Sequence, residues 1–411
     1  MPRTSRAEKS LKSCNEDRIS ALPDDVLRHV LGFLPADEAV RTCLLARRWR
    51  YLWKSMRRLR INKIGRWGSS SGVFLTKFVS CMLLLRDPGS TLDEVEIEYE
   101  RHFDDDHTWT STWIHHALSC QAQVLTVKFP LHQFLVCYLD GPPLVSRYLR
   151  RLQVSDVTLK SNFLKFSSCS ALEYLKIKDS NLETVSSVLS QSLKHLSIED
   201  CYLKNDGRIR ISVPNLVSLQ LISCGGRVPL LEGMLSLETA VVRPQVCWKD
   251  CWLEGVAEGC CGTCANCCGN DDHNGGCILF GGLSRAKNLE LTADPEMFIF
   301  RRDLRWCPTF SRLKTLLLSE WCVQPDLHAL VCMLEHSPVL ENLTLQLCEQ
   351  EKTIYGMEVE ENPGLMEKPA AISGYLKTIE VKCEEVDNRV CKVLKFLSTF
   401  GIAITIQRTN R

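Results

Sequence analysis

Eight of the chain's 22 cysteines fall between Cys247 and Cys277, in the stretch CWKDCWLEGVAEGCCGTCANCCGNDDHNGGC, which also holds His273. Thiolates and imidazoles are the side chains that bind zinc. Cys261-x2-Cys264 and Cys264-x2-Cys267 have the gap that lets a tight turn bring two sulfurs to one ion. Cys268, His273 and Cys277 could complete a tetrahedral set, and the glycines with Asp271-Asp272 would supply sharp turns. A structural zinc site, however, usually shows two pairs a dozen or more residues apart. Here the cysteines are crowded, overlapping and too many for one ion. The favoured reading is an irregular surface insertion; a zinc knuckle is the alternative, and no other cofactor is expected.

Two other groupings invite chemistry. His115-His116 lies near Asp104-Asp105-Asp106-His107, but nothing fixes those groups in one shell, and an exposed acidic loop is the better reading. Arg41, Arg47, Arg48, Arg50, Lys54, Arg57, Arg58 and Arg60 form a basic run interleaved with Trp49, Tyr51 and Trp53, a mixture also found in nucleic-acid binders. On a helix, Trp49, Leu52, Trp53 and Met56 share one face and the arginines mostly the other. That reads as a solvated face, or one meeting an acidic partner, rather than a nucleic-acid site. No P-loop, HExxH or dinucleotide fingerprint occurs, and no catalytic constellation is found. Gly225-Gly226 and Gly281-Gly282 are isolated glycine pairs at repeat turns, not phosphate cradles.

What must position any such residues is a repeat. From Leu92 onward an apolar residue, two others, an apolar, one other and an apolar recur eleven times, from Leu92-Val95-Ile97 to Leu376-Ile379-Val381. Most intervals fall in or just outside the leucine-rich-repeat range of roughly 20 to 29 residues. The outlier, 49 residues between Leu237 and Ala286, contains the cysteine-rich insertion. Polar residues between the apolar ones (Tyr174, Lys176, His195, Ser197, Gln220, Thr315) predict short parallel strands with one face inward and one outward. Cys201, Cys224 and Cys348 stand where such repeats carry Asn or Cys, and are read as structural. A helix is predicted from Asp326 to Ser337, and an amphipathic helix through Val386, Val390, Leu394 and Leu397 precedes a strand over Ile402 to Ile406. The predicted fold class is α/β, a curved right-handed solenoid with helical or irregular segments on its convex side.

Ahead of the repeats, Asp17 to Leu59 reads as three short helices. Ile19, Leu22, Val26, Leu27, Val30, Leu31 and Leu34 mark one apolar face, Gly32 and Pro35 stop the first helix, and Asp37 and Glu38 open a second with Val40, Cys43 and Leu44 inward. A unit so small and so apolar usually needs a partner. Leu22-Pro23, Val30-Leu31, Leu34-Pro35, Ala39-Val40-Arg41-Thr42, Leu44 and Arg47-Arg48-Trp49-Arg50-Tyr51-Leu52-Trp53 resemble the F-box in its plant-type form, with Ala46 where that family often has serine. The C-terminus resembles, more faintly, the FBD region of plant F-box proteins, through Leu376-Lys377-Thr378-Ile379-Glu380-Val381 and the helix after it.

The resemblance implies a non-catalytic chain whose F-box docks a Skp-family adaptor in a cullin-RING ubiquitin ligase while its repeats hold a protein substrate. Carried over residue by residue, it makes Leu22, Pro23, Leu27, Val30, Leu31, Leu34, Pro35, Val40, Leu44, Trp49, Leu52 and Trp53 the F-box core and adaptor-binding set. Which pack internally and which face the adaptor stays open at this point. The alternative is an F-box scaffold that does not direct degradation, or a metal-responsive sensor working through the cysteines.

The expected layout is a disordered segment over 1–14, F-box over 15–62, linker and helix over 63–90, repeats over 91–385 with the insertion at 247–277, and a cap over 386–411. Charge is nearly balanced, 50 basic against 49 acidic residues, so no global field recruits nucleic acid or membrane. The polar start lacks the apolar segment of a secretory signal, and no apolar run approaches the length of a membrane span. A cytoplasmic or nuclear location with reduced cysteines is expected.

Overall fold

The computed structural model describes residues 19, 21–62, 71–98, 108–129, 138–160, 162–203, 207–249, 277–293, 300, 303–323, 327–347 and 374–408. The segment expected over 1–14, Gly65 to Ser70 of the linker, the acidic run, Cys348 and the insertion from Cys251 to Gly276 lie outside them.

Each of the eleven apolar triads places its last two residues on a strand, and every triad residue is buried. The strands run β1 (Arg58–Ile61), β2 (Glu94–Glu98), β3 (Val124–Lys128), β4 (Arg151–Ser155), β5 (Tyr174–Lys178), β6 (His195–Glu199) and β7 (Ser218–Arg227). They continue through β8 (Thr239–Lys249), β9 (Asn288–Leu291), β10 (Thr315–Ser319), β11 (Asn342–Leu347), β12 (Thr378–Cys383) and β13 (Ile404–Arg408). Each pairs in parallel with the next in chain order, so the ladder is a solenoid sheet. The register matches triad to triad: Leu152 opposite Leu175, Leu175 opposite Leu196, Leu196 opposite Leu219. A one-residue slip would turn every leucine outward, so burial of one face fixes the pairing. No rung can bury that face alone; its neighbours complete it.

The ladder is longer than the triads. At the N-terminal end, Arg58 to Ile61 contributes a further rung whose buried Met56, Leu59 and Ile61 keep the triad spacing, hidden in the sequence because Met56 also continues the apolar face of Trp49, Leu52 and Trp53. At the other end, Ile404 to Arg408 pairs with β12 and adds the last rung.

A repeated backbone device marks each entry to the sheet from β2 to β12. One carbonyl in the preceding rung accepts two successive N–H groups: the Arg57 carbonyl takes those of Asp93 and Glu94, and the Glu341 carbonyl those of Lys377 and Thr378. Beside it run ion pairs, including Arg57–Asp93 at 2.6 Å, Lys194–Glu173 at 2.7 Å and Lys287–Glu238 at 2.6 Å. Exposed pairs of this kind are screened by water and add little to stability. Glu341 is bracketed by two, Lys314 at 2.8 Å and Lys377 at 2.7 Å, whose hydrogen bonds hold its carboxyl down to about 2. Its folded pKa is depressed, so its contribution is present above the unfolded carboxylate value and is lost as pH falls through about 2. Carbon-detected NMR titration is expected to find this glutamate among the last carboxylates to protonate. In a Lys314→Met, Lys377→Met double variant it should titrate in the ordinary range near 4.3; an unchanged titration would exclude the lysines as the cause.

Each of three mid-ladder strands is followed by an aspartate in the left-handed region: Asp156 at φ 60°, Asp179 at 46° and Asp200 at 51°. Each donates its N–H to the next rung, Asp156 to Lys178, Asp179 to Glu199 and Asp200 to Ile222. Short aspartate side chains tolerate this conformation better than branched ones. The chain then makes a second, short parallel ladder from Tyr138–Leu139, Thr158–Leu159, Asn181–Leu182 and Tyr202–Leu203. The signal was present as Asp-x-x-Leu after the strands, at Asp156–Leu159, Asp179–Leu182 and Asp200–Leu203. Cys201 and Cys224 fill the turn with their thiols directed at backbone carbonyls, Cys201 to Glu199 at 3.1 Å and Cys224 to Ile198 at 3.4 Å. Burial pushes the Cys224 thiol up to about 12 and that of Cys201 further, so both are structural and inert.

On the convex side lie α3 (Ser71–Leu84), α4 (Thr108–Ser119), the single turn α5 (Phe280–Leu283), α6 (His328–Glu335) and α7 (Asn388–Ser398). Helix α6 buries Leu330, Met333 and Leu334, whereas Val331, expected on that face, is half-buried. Helix α7 is capped by Asp387, whose carboxylate accepts the Val390 N–H at 2.8 Å.

Candidate functional site

The N-terminal unit contains α1 (Asp24–Leu31) and α2 (Ala36–Arg41). Asp24 and Asp25 occupy the first turn of α1, where the helix dipole favours carboxylates, and Gly32 follows its last residue. The expected third helix is instead a set of 3₁₀ turns over Thr42–Leu44, Arg47–Arg50 and Leu52–Ser55, short enough to fold Trp49, Leu52 and Trp53 back under α1.

The structure divides the twelve candidate residues. Leu27, Leu31, Trp49, Leu52 and Trp53 are buried and form the unit's core with Ala36, Ala39 and Met56. Leu22, Leu34 and Val40 are half-buried against it, as is Pro35. Pro23, Val30 and Leu44 are exposed, Val30 at 46% and Leu44 at 84%. Two expectations are thereby corrected. Leu44 points outward, because a 3₁₀ turn replaces the helix that would have carried it inward. Ile19, Val26 and Val30 leave the apolar face, since the core takes Leu27 and Leu31 only. Phe33, Leu45 and Tyr51 are exposed as well.

This unit is built into the solenoid, not tethered to it. Met56 and Leu59 are fully buried, and β1 begins two residues after Met56. Arg86, itself buried, donates to the Met56 carbonyl at 2.8 Å, tying the end of α3 to the same junction. Cross-strand pairs Arg58–Glu94 at 3.1 Å and Arg60–Glu96 at 2.7 Å line the first two rungs. The basic run is therefore largely matched within the chain: Arg41 to Asp37, Arg48 to Asp24, Arg57 to Asp93, Arg58 to Glu94 and Arg60 to Glu96.

Residues 19–61 match the F-box domain model. The N-terminal unit is an F-box domain. The relatives are plant F-box proteins. An FBD-associated F-box protein of Arabidopsis thaliana is 26% identical over 340 residues, 80% of this chain and 75% of that protein. An F-box/FBD/LRR-repeat protein of the same plant is 32% identical over 243 residues, half of each chain. A meiotic F-box protein of Oryza sativa subsp. japonica is 26% identical over 373 residues, 81% of this chain and 72% of that protein.

Behind the F-box domain, the outward face of β4, β5 and β6 offers the second candidate surface. The Arg151 guanidinium lies 4.9 Å from the Tyr174 ring centre, and the Tyr174 ring 6.3 Å from that of His195. Next to them Lys176 meets Glu199 at 2.7 Å, and the Ser197 hydroxyl donates to the same carboxylate at 2.6 Å. Burial opposes the charged form of Glu199, but these hydrogen bonds outweigh it and hold the carboxyl below its usual range. An aromatic ring flanked by a guanidinium and an imidazole beside a fixed ion pair is a surface suited to protein side chains: flat stacking area with polar groups already oriented.

Of the sequence-derived metal candidates, Cys261, Cys264, Cys267, Cys268 and His273 lie outside the described residues. Cys277 is within them, its thiol 2.6 Å from the Trp306 carbonyl. His115 and His116, adjacent on α4, turn to different partners: His115 Nδ1 to the Ser111 carbonyl at 2.7 Å, His116 Nε2 to the Cys120 thiol at 3.6 Å. They do not converge on one ion. Among the described residues, no helix is long and apolar enough to cross a membrane.

Proposed function

We propose that this chain is the substrate-recognition subunit of a Skp–cullin–F-box ubiquitin ligase. Its F-box domain docks a Skp-family adaptor, and the outward face of its ladder holds a target protein. It performs no chemistry itself; it contributes proximity for ubiquitin transfer on other subunits. The observation that carries this reading is the surplus of apolar surface on the F-box domain. Its core closes with Leu27, Leu31, Trp49, Leu52 and Trp53, yet Val30, Phe33, Leu44 and Leu45 remain exposed. Apolar surface of this kind contributes binding energy when a partner removes it from water. The relatives, an FBD-associated F-box protein and an F-box/FBD/LRR-repeat protein, support the same assignment.

The test separates anchors from core. Leu44→Asp with Leu45→Asp is expected to leave the thermal unfolding of the chain unchanged and to weaken adaptor co-purification by at least tenfold, since each side chain is more than two-thirds exposed. Leu27→Ala, by contrast, should destabilise the domain by about 2–5 kcal/mol. Undiminished adaptor and cullin co-purification by the double aspartate variant would remove Leu44 and Leu45 from the interface. A cullin-bound chain whose captured partner turns over no faster than in its absence would leave a scaffold role instead.

A further inference from the structure

The insertion is not where the described metal ligands converge. Cys307, Cys332 and His336 come together on the convex side, their ligating atoms all within 4.8 Å of one another. Cys332 and His336 are one turn apart at the end of α6, the spacing that places two side chains on one helix face. Cys332 Sγ stands 3.7 Å from His336 Nδ1, which also donates to the Cys332 carbonyl at 2.9 Å and must leave it, deprotonated, to bind a metal. Around tetrahedral zinc, with Zn–S near 2.3 Å and Zn–N near 2.0–2.1 Å, a sulfur and a nitrogen are about 3.6 Å apart. Cys307 arrives from the segment before β10. Cys277 stands next to it, its thiol on the carbonyl of Trp306, the residue before Cys307.

We propose that Cys307, Cys332 and His336 form a structural zinc site, with the Cys277 thiol taking the fourth position after leaving the Trp306 carbonyl. Two to three thiolates and an imidazole are soft ligands that select zinc over calcium or magnesium. Four protein ligands leave no open position, so the site is structural and not catalytic. Its place in the fold gives it a purpose. Cys277, Cys307 and Cys332 lie on the segments that lead into β9, β10 and β11 respectively, in three successive repeats. A metal there staples three convex segments together and pins the end of the cysteine-rich insertion to the solenoid, where a 49-residue interval separates two adjacent rungs. Because the metal binds only the folded arrangement, it raises the stability of this half of the ladder.

The test must silence the insertion's own thiols. In the full chain, the seven cysteines from Cys247 to Cys268 are replaced by serine, leaving Cys277, Cys307, Cys332 and His336. Purified under reductant and loaded with zinc alone, this background is expected to hold about one zinc per chain. With cobalt(II) alone it should show the intense visible bands of tetrahedral thiolate coordination, and chelation should lower its unfolding temperature. Adding Cys307→Ala with Cys332→Ala should abolish the bands and the chelator-sensitive shift. His336→Gln, a half-buried change at the helix end, should weaken zinc at least tenfold while the chain stays folded, so the proposal does not depend on the cysteine variants folding. A zinc-free folded background overturns it, and so does a zinc affinity that His336→Gln leaves unchanged. A Cys307–Cys332 disulfide that persists under reductant in place of metal overturns it as well.

Discussion

Asp303→Ala is expected to lower the unfolding free energy by about 3–5 kcal/mol, among the largest effects of any single truncation in this chain. Asp303 is fully buried, and its carboxylate accepts three consecutive backbone N–H groups: Ile278 at 3.1 Å, Leu279 at 2.7 Å and Phe280 at 2.8 Å. These are the first residues after the insertion, and Phe280 opens α5. Without the carboxylate, three buried donors lose their acceptor where water does not reach, each costing about 1–3 kcal/mol before relaxation. The consequence extends to packing, because Phe280 stacks with Phe300 and meets Phe310 in the aromatic layer under β9 and β10. Asp303→Asn keeps acceptor oxygen and volume and should lose less than half as much. Denaturant unfolding measures both; a loss below about 1 kcal/mol for the alanine variant would mean that water enters and replaces the carboxylate.

Gly226 should be the glycine least tolerant of a side chain. Its φ is +88°, and a Cβ there would meet the Leu203 carbonyl oxygen within contact that no real side chain makes, 2.2 Å. Gly226→Ala is expected to cost about 3 kcal/mol or more, from backbone strain together with displacement of the short ladder that Leu203 belongs to. Gly233 is the control. Its φ of +66° carries similar strain, but nothing lies within 4 Å of its Cβ position, so Gly233→Ala should cost only about 1 kcal/mol. Equal losses in the two variants would assign the whole effect to φ and none to the close approach. The isolated glycine pair in the sequence is therefore a packing device; Gly282 is another, its Cβ position 2.4 Å from that of Leu231.

Local pattern made the solenoid legible. Leu152, Leu175, Leu196 and Leu219 recur at repeat spacing because each rung buries the same face, and a periodic core writes itself periodically into the chain. The F-box domain was legible for a related reason: Leu27, Leu31, Trp49, Leu52 and Trp53 form its core from a few dozen consecutive residues. One rung of that period was hidden. Met56, Leu59 and Ile61 carry the triad spacing into β1, but they directly follow Trp49, Leu52 and Trp53, so the same residues also read as the end of a helical face.

The sequence by itself thus determined the repeat architecture, the polar outward face and the identity of the N-terminal unit. Each depends on residues near one another in the chain, or repeating at a fixed interval. Only the tertiary structure decided that Leu44 faces outward while Leu31 is core, that Asp303 captures the chain returning from the insertion, and that Cys307 meets Cys332 and His336. Those outcomes depend on how repeats stack and how a short turn is wound. Stacking brings together residues some 25 positions apart whose types, read along the chain, look unrelated.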